Sequence, residues 1–263
     1  MRRYLIPILQ SLTLALAMAF TVHNVGAATM NGIAEGSFIV LKTDYGTTFS
    51  AYAAGDQDAE NGILLVHDKW GLDAYVIQWA DRFAELGYRV LAVDLYDGRQ
   101  VSDDEMADEV VTQIDPVWIE ADLKGAVKYL KLKQRNVVIM GWGMGGENAL
   151  SAALQIPDIN ALITYYAEPV VDDQKLATLN GPMLAIFAKR DIRVDTQEIL
   201  ALKDSMAALG KELWVMEADA DRGFANPRTG AFNKTAIDKA WITTNDFLSK
   251  ELGTPAVKTT ASQ

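Results

Sequence analysis

The chain has 263 residues, half of them hydrophobic, enough to bury the core of one α/β domain of about 250 residues or fewer. Its formal charge of −11 and isoelectric point near 4.7 argue against nucleic acid or an anionic membrane surface as the main partner. With no cysteine it can hold neither a disulfide, a thiolate metal site nor a thiol nucleophile.

Residues 1–28 read as a secretory signal. Arg2 and Arg3 give a positive start, Tyr4 to Val22 is mostly apolar, and Val25-Gly26-Ala27 offers small residues before a cleavage point near Ala28. Pro7, Gln10, Ser11 and Thr13 argue against an uncleaved anchor, since a spanning helix wants about 20 mainly apolar residues. The expectation is a periplasmic or secreted protein with no membrane span after cleavage. Residues 29–253 are expected to form one domain, and residues 254–263 a loose polar tail.

Ser37–Lys42 and Thr47–Ala53 read as two paired edge strands around the Tyr45-Gly46 turn. Gly62–His67 is a continuous apolar run, as in a strand buried on both faces. Ala74–Leu86 has helical period, and Tyr88–Val93 is the next buried strand. Asp103–Thr112 is a short acidic helix, and Pro116–Lys133 a longer amphipathic one with proline near its start. Asn136–Gly141 is a strand, followed by a helix over Gly145–Gln155. Ile159–Tyr165 and Met183–Ala188 are strands joined by the polar stretch Asp172–Asn180. Thr196–Leu209 is a helix, Glu212–Glu217 a strand and Phe232–Glu251 the closing helix. This alternation predicts an α/β fold with a mostly parallel sheet covered by helices on both faces. Ligands in such folds bind outside the carboxyl ends of the strands. The residues that follow strands are therefore the ones to inspect: Asp68, Asp94, Gly143, Asp191 and the segment after Glu217.

Three ordered motifs, Val66-His67-Asp68-Lys69-Trp70-Gly71, Ala92-Val93-Asp94-Leu95-Tyr96 and Gly141-Trp142-Gly143-Met144-Gly145-Gly146, resemble those of the dienelactone hydrolases. Asp191 after a strand and Arg222-Gly223-Phe224 near the end complete a resemblance that covers about residues 36–250. It implies an α/β-hydrolase fold and a Cys-His-Asp triad acting on lactones and esters. By that resemblance Gly143 stands at the nucleophile, Arg222 at the histidine and Asp191 at the aspartate. Asp68 matches the acidic residue beside the nucleophile. Glycine has no side chain to attack with, and arginine stays protonated at any working pH. Competent acyl transfer would need another nucleophile.

The resemblance further implies that the N–H groups of Lys69 and Met144 form the oxyanion hole, and that Arg99 matches a residue holding a substrate carboxylate. Trp70 and Trp142 flank site motifs and are expected to line the pocket, as are Tyr165 and Tyr166. His67, the one histidine left after signal removal, is not expected to act as a base. Arg222 admits two readings: a free positive charge that binds a small carboxylate, or an internal ion pair with Asp191 and Asp68 that plugs the site. Asp68, Asp191, Asp219 and Asp221 lack the spacing of a cation-binding loop, so neither metal nor cofactor is expected. The leading expectation is a non-catalytic binder of a small, carboxylated molecule. The alternatives are a divergent hydrolase that uses Asp68 or Asp191 on small esters or lactones, and a scaffold that retains only the fold.

Overall fold

The computed structural model describes residues 36–99 and 101–255. The expected signal at residues 1–28, with His23, and the last eight residues of the tail lie outside the described residues. In chain order the elements are β1 (Ser37–Lys42), β2 (Thr48–Ala54), β3 (Asn61–Val66), α1 (Ala74–Glu85), β4 (Arg89–Asp94), α2 (Asp104–Gln113), α3 (Pro116–Leu130) and β5 (Asn136–Trp142). They continue with α4 (Met144–Gln155), β6 (Ala161–Tyr165), α5 (Asp173–Leu176), β7 (Met183–Ala188), α6 (Thr196–Ala208), β8 (Leu213–Ala218) and α7 (Lys234–Leu252).

One sheet runs in the order β1-β2-β4-β3-β5-β6-β7-β8. From β4 to β8 all neighbours are parallel, whereas β2 is antiparallel to both β1 and β4. The expectation of two edge strands is thus half corrected. β1 is an edge, but β2 pairs on its other side with β4, Ser50 opposite Asp94. The inner strands β3 and β4 are buried at every position, which explains their unbroken apolar runs.

Period-two alternation divides the core in two. Leu64, Val66, Leu91, Val93 and Ile139 pack towards α3, α4 and α6. Ile63, Leu65, Val90, Val138 and Met140 face the other way, against Trp79 and Phe83 of α1 and Phe247 of α7. Aspartates start most of the helices: Asp73, Asp103, Asp115, Asp172 and Asp195 each accept an N–H from the first turn they precede. Asp172 caps a single turn, α5, inside the stretch read as polar loop; four residues are too few to show a helical period.

α4 lies unusually close to the sheet. A Cβ at Gly145 would stand 2.2 Å from the carbonyl oxygen of His67 and 2.3 Å from that of Val66. Those are backbone atoms at the end of β3 and cannot swing aside. Gly145→Ala is expected to cost about 3 kcal/mol or more in urea denaturation. Gly230→Ala, where nothing lies within 4 Å of the added carbon, should stay within about 0.5 kcal/mol of the wild type.

Candidate functional site

The parallel strands end on one side of the sheet, and the loops there bring Asp68, Gly143, Asp191 and Arg222 together. Gly143 joins β5 to α4 with φ +50° and ψ −120°, the sharp strand-to-helix elbow on which this fold exposes a side chain. Its N–H donates to the Tyr165 carbonyl at 2.9 Å. Glycine adopts this backbone without a Cβ conflict. An added Cβ would also have no room: it would stand 2.5 Å from Asp68 Oδ1 and 2.8 Å from Cγ and Oδ2. The Asp68 carboxylate fills the volume beside the elbow.

That carboxylate is held by backbone. Its Oδ1 accepts the N–H of Lys69 at 2.7 Å and of Met144 at 3.3 Å. Met144 opens α4, so the positive end of the helix adds to the attraction. The two N–H groups expected to receive a ligand's oxyanion are therefore occupied from within. Burial pushes the Asp68 carboxyl above its ordinary value; the Lys69 amide, the Arg222 charge and the Met144 amide oppose burial without cancelling it. Oδ2 has no hydrogen-bond or ion-pair partner among the described residues, and Asp68 keeps a surface on the pocket.

Arg222 makes an internal ion pair, but with one partner other than expected. Its Nη1 donates to Asp191 Oδ2 at 3.1 Å and its Nη2 to Glu147 Oε1 at 3.0 Å. No hydrogen bond or salt bridge joins it to Asp68. Burial disfavours the guanidinium charge, yet Asp191 and Glu147 outweigh burial and hold its affinity for the proton above the ordinary value. Asp191 is buried and also accepts the Arg193 N–H at 3.0 Å. Glu147 lies in the first turn of α4, where an acidic residue reads as a complement to the helix dipole; nothing in the sequence pointed to it as a partner of Arg222.

A cavity of about 420 Å³ opens over these groups, walled by Lys69, Trp70, Val111, Met144, Arg193 and Arg228. The Lys69 ammonium is drawn to Asp104 and Asp108 of α2, each at 2.8 Å. Arg228 stacks 5.0 Å over Trp70 and donates to the Val101 carbonyl. Arg193 is exposed, and its guanidinium has no ion-pair partner among the described residues. No group of three or more His, Cys, Asp or Glu among the described residues could hold a metal ion. Asp219 and Asp221 instead clasp Arg190.

Two expected ligand contacts and two expected lining residues are corrected. Trp142 ends β5 with its ring in the opposite core layer, 5.2 Å from Trp79 and 5.9 Å from Tyr75. Arg99 lies outside the pocket wall, its Nη1 donating to Gln113 at the end of α2 at 2.8 Å. Tyr165 and Tyr166 are wholly buried in the same layer as Trp142, Tyr165 bonded to Thr244 at 2.8 Å. His67 spends both ring nitrogens on backbone: Nδ1 donates to the Asp68 carbonyl at 2.7 Å, and Nε2 accepts from Leu95 at 3.1 Å. Burial lowers its proton affinity further, so it is a neutral strut under the Asp68 turn.

Two measurements test this arrangement. Gly143→Ser should lose about 1–3 kcal/mol from backbone strain and collision with Asp68. Asp68→Ala in the same chain should recover part of that loss, a non-additivity read from a double-mutant cycle. Asp68 also links stability to pH. The folded chain holds its proton more tightly than the unfolded one, whose carboxyl titrates near 3.8. Stability therefore falls as pH rises from there through the raised native value. Asp68→Asn keeps an oxygen for both amides and drops the charge, so it should melt higher than the wild type at neutral pH. The gap should close once both states of the wild type are protonated.

The comparisons with known proteins agree with the geometry. The family model described as "Dienelactone hydrolase family" matches residues 49–252. Protein usf of Aquifex pyrophilus is 24% identical over 222 residues, covering 79% of this chain and 95% of that protein. A dienelactone hydrolase-like promiscuous phosphotriesterase from metagenomic libraries superposes with a TM-score of 0.73 at 18% identity, covering 83% of this chain and 99% of the other. An esterase of Pyrococcus furiosus superposes at 0.60 with 16% identity, covering 83% and 91%. The family match, the eight-stranded sheet and the glycine elbow between β5 and α4 together place the chain in the dienelactone hydrolase family.

Proposed function

We propose that this protein is an exported, non-hydrolytic member of its family that binds a small molecule in the pocket above Asp68. The observation that carries the reading is the Asp68 carboxylate seated on the Lys69 and Met144 amides, in the space a side chain at residue 143 would need. Acyl transfer requires an attacking atom, a base and N–H donors free for the developing oxyanion. Gly143 offers no attacking atom, Arg222 is a guanidinium bound to two carboxylates, and both donors already hold an anion. Losing nucleophile and base in a hydrolase that depends on them costs on the order of 10⁶ in kcat.

What survives is the cavity and its outer cations. Arg193, with Arg228 beside Trp70, supports binding of a carboxylated ligand at the mouth in place of the deep anion site expected at Arg222 and Arg99. Export rests on the sequence of residues 1–28. Among the described residues no helix is long and apolar enough to cross a membrane.

A second reading keeps hydrolysis. The raised Asp68 carboxyl and its unpartnered Oδ2 on the pocket are the marks of a group able to take a proton from water. One experiment separates the two. Activated esters and lactones are offered to the purified chain, to Asp68→Asn, and to Gly143→Cys/Arg222→His with and without Asp68→Ala. The non-hydrolytic reading expects no turnover by the parent and turnover appearing in a restored variant. Turnover by the parent that Asp68→Asn abolishes would establish the second reading instead.

A further inference from the structure

The floor of the pocket has the wrong polarity for an acid. Asp68, Glu147 and Asp191 gather around a single guanidinium, which is turned towards the last two. The Lys69 ammonium, a second cation of the lining, is held by Asp104 and Asp108. Asp68 Oδ2 is therefore an ionisable acceptor, desolvated by the protein around it, facing the cavity with no donor among the described residues. A ligand that donates to this oxygen gains a hydrogen bond the protein itself does not supply. A carboxylate ligand cannot donate, and it would meet the Asp68 and Glu147 carboxylates that line the pocket; a cationic nitrogen satisfies the oxygen and the field together.

At the exposed rim Asp104 and Asp108 are taken up by Lys69, and another cation is left over. Arg193 is a cation with no ion-pair partner among the described residues, on the loop that follows β7 and two residues beyond Asp191. Between floor and mouth the wall is apolar and polarisable, with the Trp70 ring, Met144 and Val111. A cavity of about 420 Å³ suits a compact ligand.

We propose that the pocket takes a zwitterion of the amino-acid type, its ammonium on Asp68 Oδ2 at the floor, its methylenes against Trp70 and Met144, and its carboxylate on Arg193 at the mouth. This rests on the small-molecule-binding reading above and names the ligand class of that same site. The ammonium donates one N–H to Asp68 and the carboxylate accepts from the guanidinium. No covalent step is involved.

Titration calorimetry on the purified chain tests it, using straight-chain ω-amino acids of increasing length with the alkyl acid and alkyl amine of each length. The expected result is one ω-amino acid that binds about tenfold tighter than either its acid or its amine. Asp68→Asn should erase the advantage over the acid, and the acid itself, meeting one negative charge fewer, should bind no more weakly than to the parent. Arg193→Ala, an exposed change that leaves the floor intact, should erase the advantage over the amine. Equal binding of acid and amino acid would overturn the proposal and leave the carboxylate-binding reading standing. An advantage that persists in Asp68→Asn would also overturn it. Binding by none of these compounds would remove the zwitterion and the carboxylate reading together.

Discussion

The site is organised by one interaction, the Asp68 carboxylate on the amides of Lys69 and Met144. Two N–H groups aimed at one point, one on the loop after β3 and one at the start of α4, demand an acceptor. With glycine at the elbow, the space next to that point is free of side chain, and Asp68 is the acid close enough to fill both the volume and the donors. The solution is electrostatically mixed. The amides and the helix end favour the charge, burial disfavours it, and the upward shift of the carboxyl says that burial wins. The same carboxylate that completes the backbone hydrogen bonding therefore sits in a state of some tension, its second oxygen without a protein partner among the described residues.

The neighbouring groups are drawn into internal roles. Arg222 would be an expensive buried cation alone; Asp191 and Glu147 make it tolerable, and in return it neutralises part of their charge. His67 donates to the Asp68 carbonyl, fixing the peptide whose N–H faces Oδ1, and the Tyr96 hydroxyl bonds the carbonyl of the next peptide, that of Lys69, at 2.9 Å. Each of these residues could, by type, take part in chemistry. In this arrangement each is committed to holding the floor in shape.

Much of the frame was legible because it is written in local, strongly periodic signals. Continuous apolar runs gave β3, β4 and β7, caps and period gave the long helices, and the Gly-Trp-Gly-Met-Gly-Gly run marked the elbow. What was not legible depends on the third dimension. The direction of Trp142 follows from which side of β5 it leaves, and a strand ending one residue beyond its apolar run does not disclose that side. Arg99 was placed by resemblance, while its actual partner, Gln113, lies on another element. Glu147 and Arg193 carry no motif; they matter because one reaches Arg222 and the other finds no carboxylate. β2 looked like an edge because antiparallel pairing on its second side leaves no mark in its own sequence.

Fold and chemistry separate cleanly here, as they do wherever one scaffold hosts several functions. The family match spans residues 49–252, from the second strand to the closing helix. The electrostatic pattern in the cavity is set by a handful of side chains. A neutral histidine at 222 would leave Asp191 and Glu147 with one cation fewer, and a side chain at 143 would drive Asp68 off the amides. Glycine and arginine thus form a matched pair: the first admits the Asp68 carboxylate to the floor, and the second offsets the charge that gathers there. Because three acids still face one guanidinium, the offset is incomplete. The remainder is an excess of carboxylate at the inner end of a cavity whose exposed rim carries Arg193, without an ion-pair partner among the described residues. For the zwitterion proposed above, a field of that shape orients the guest before any contact is made.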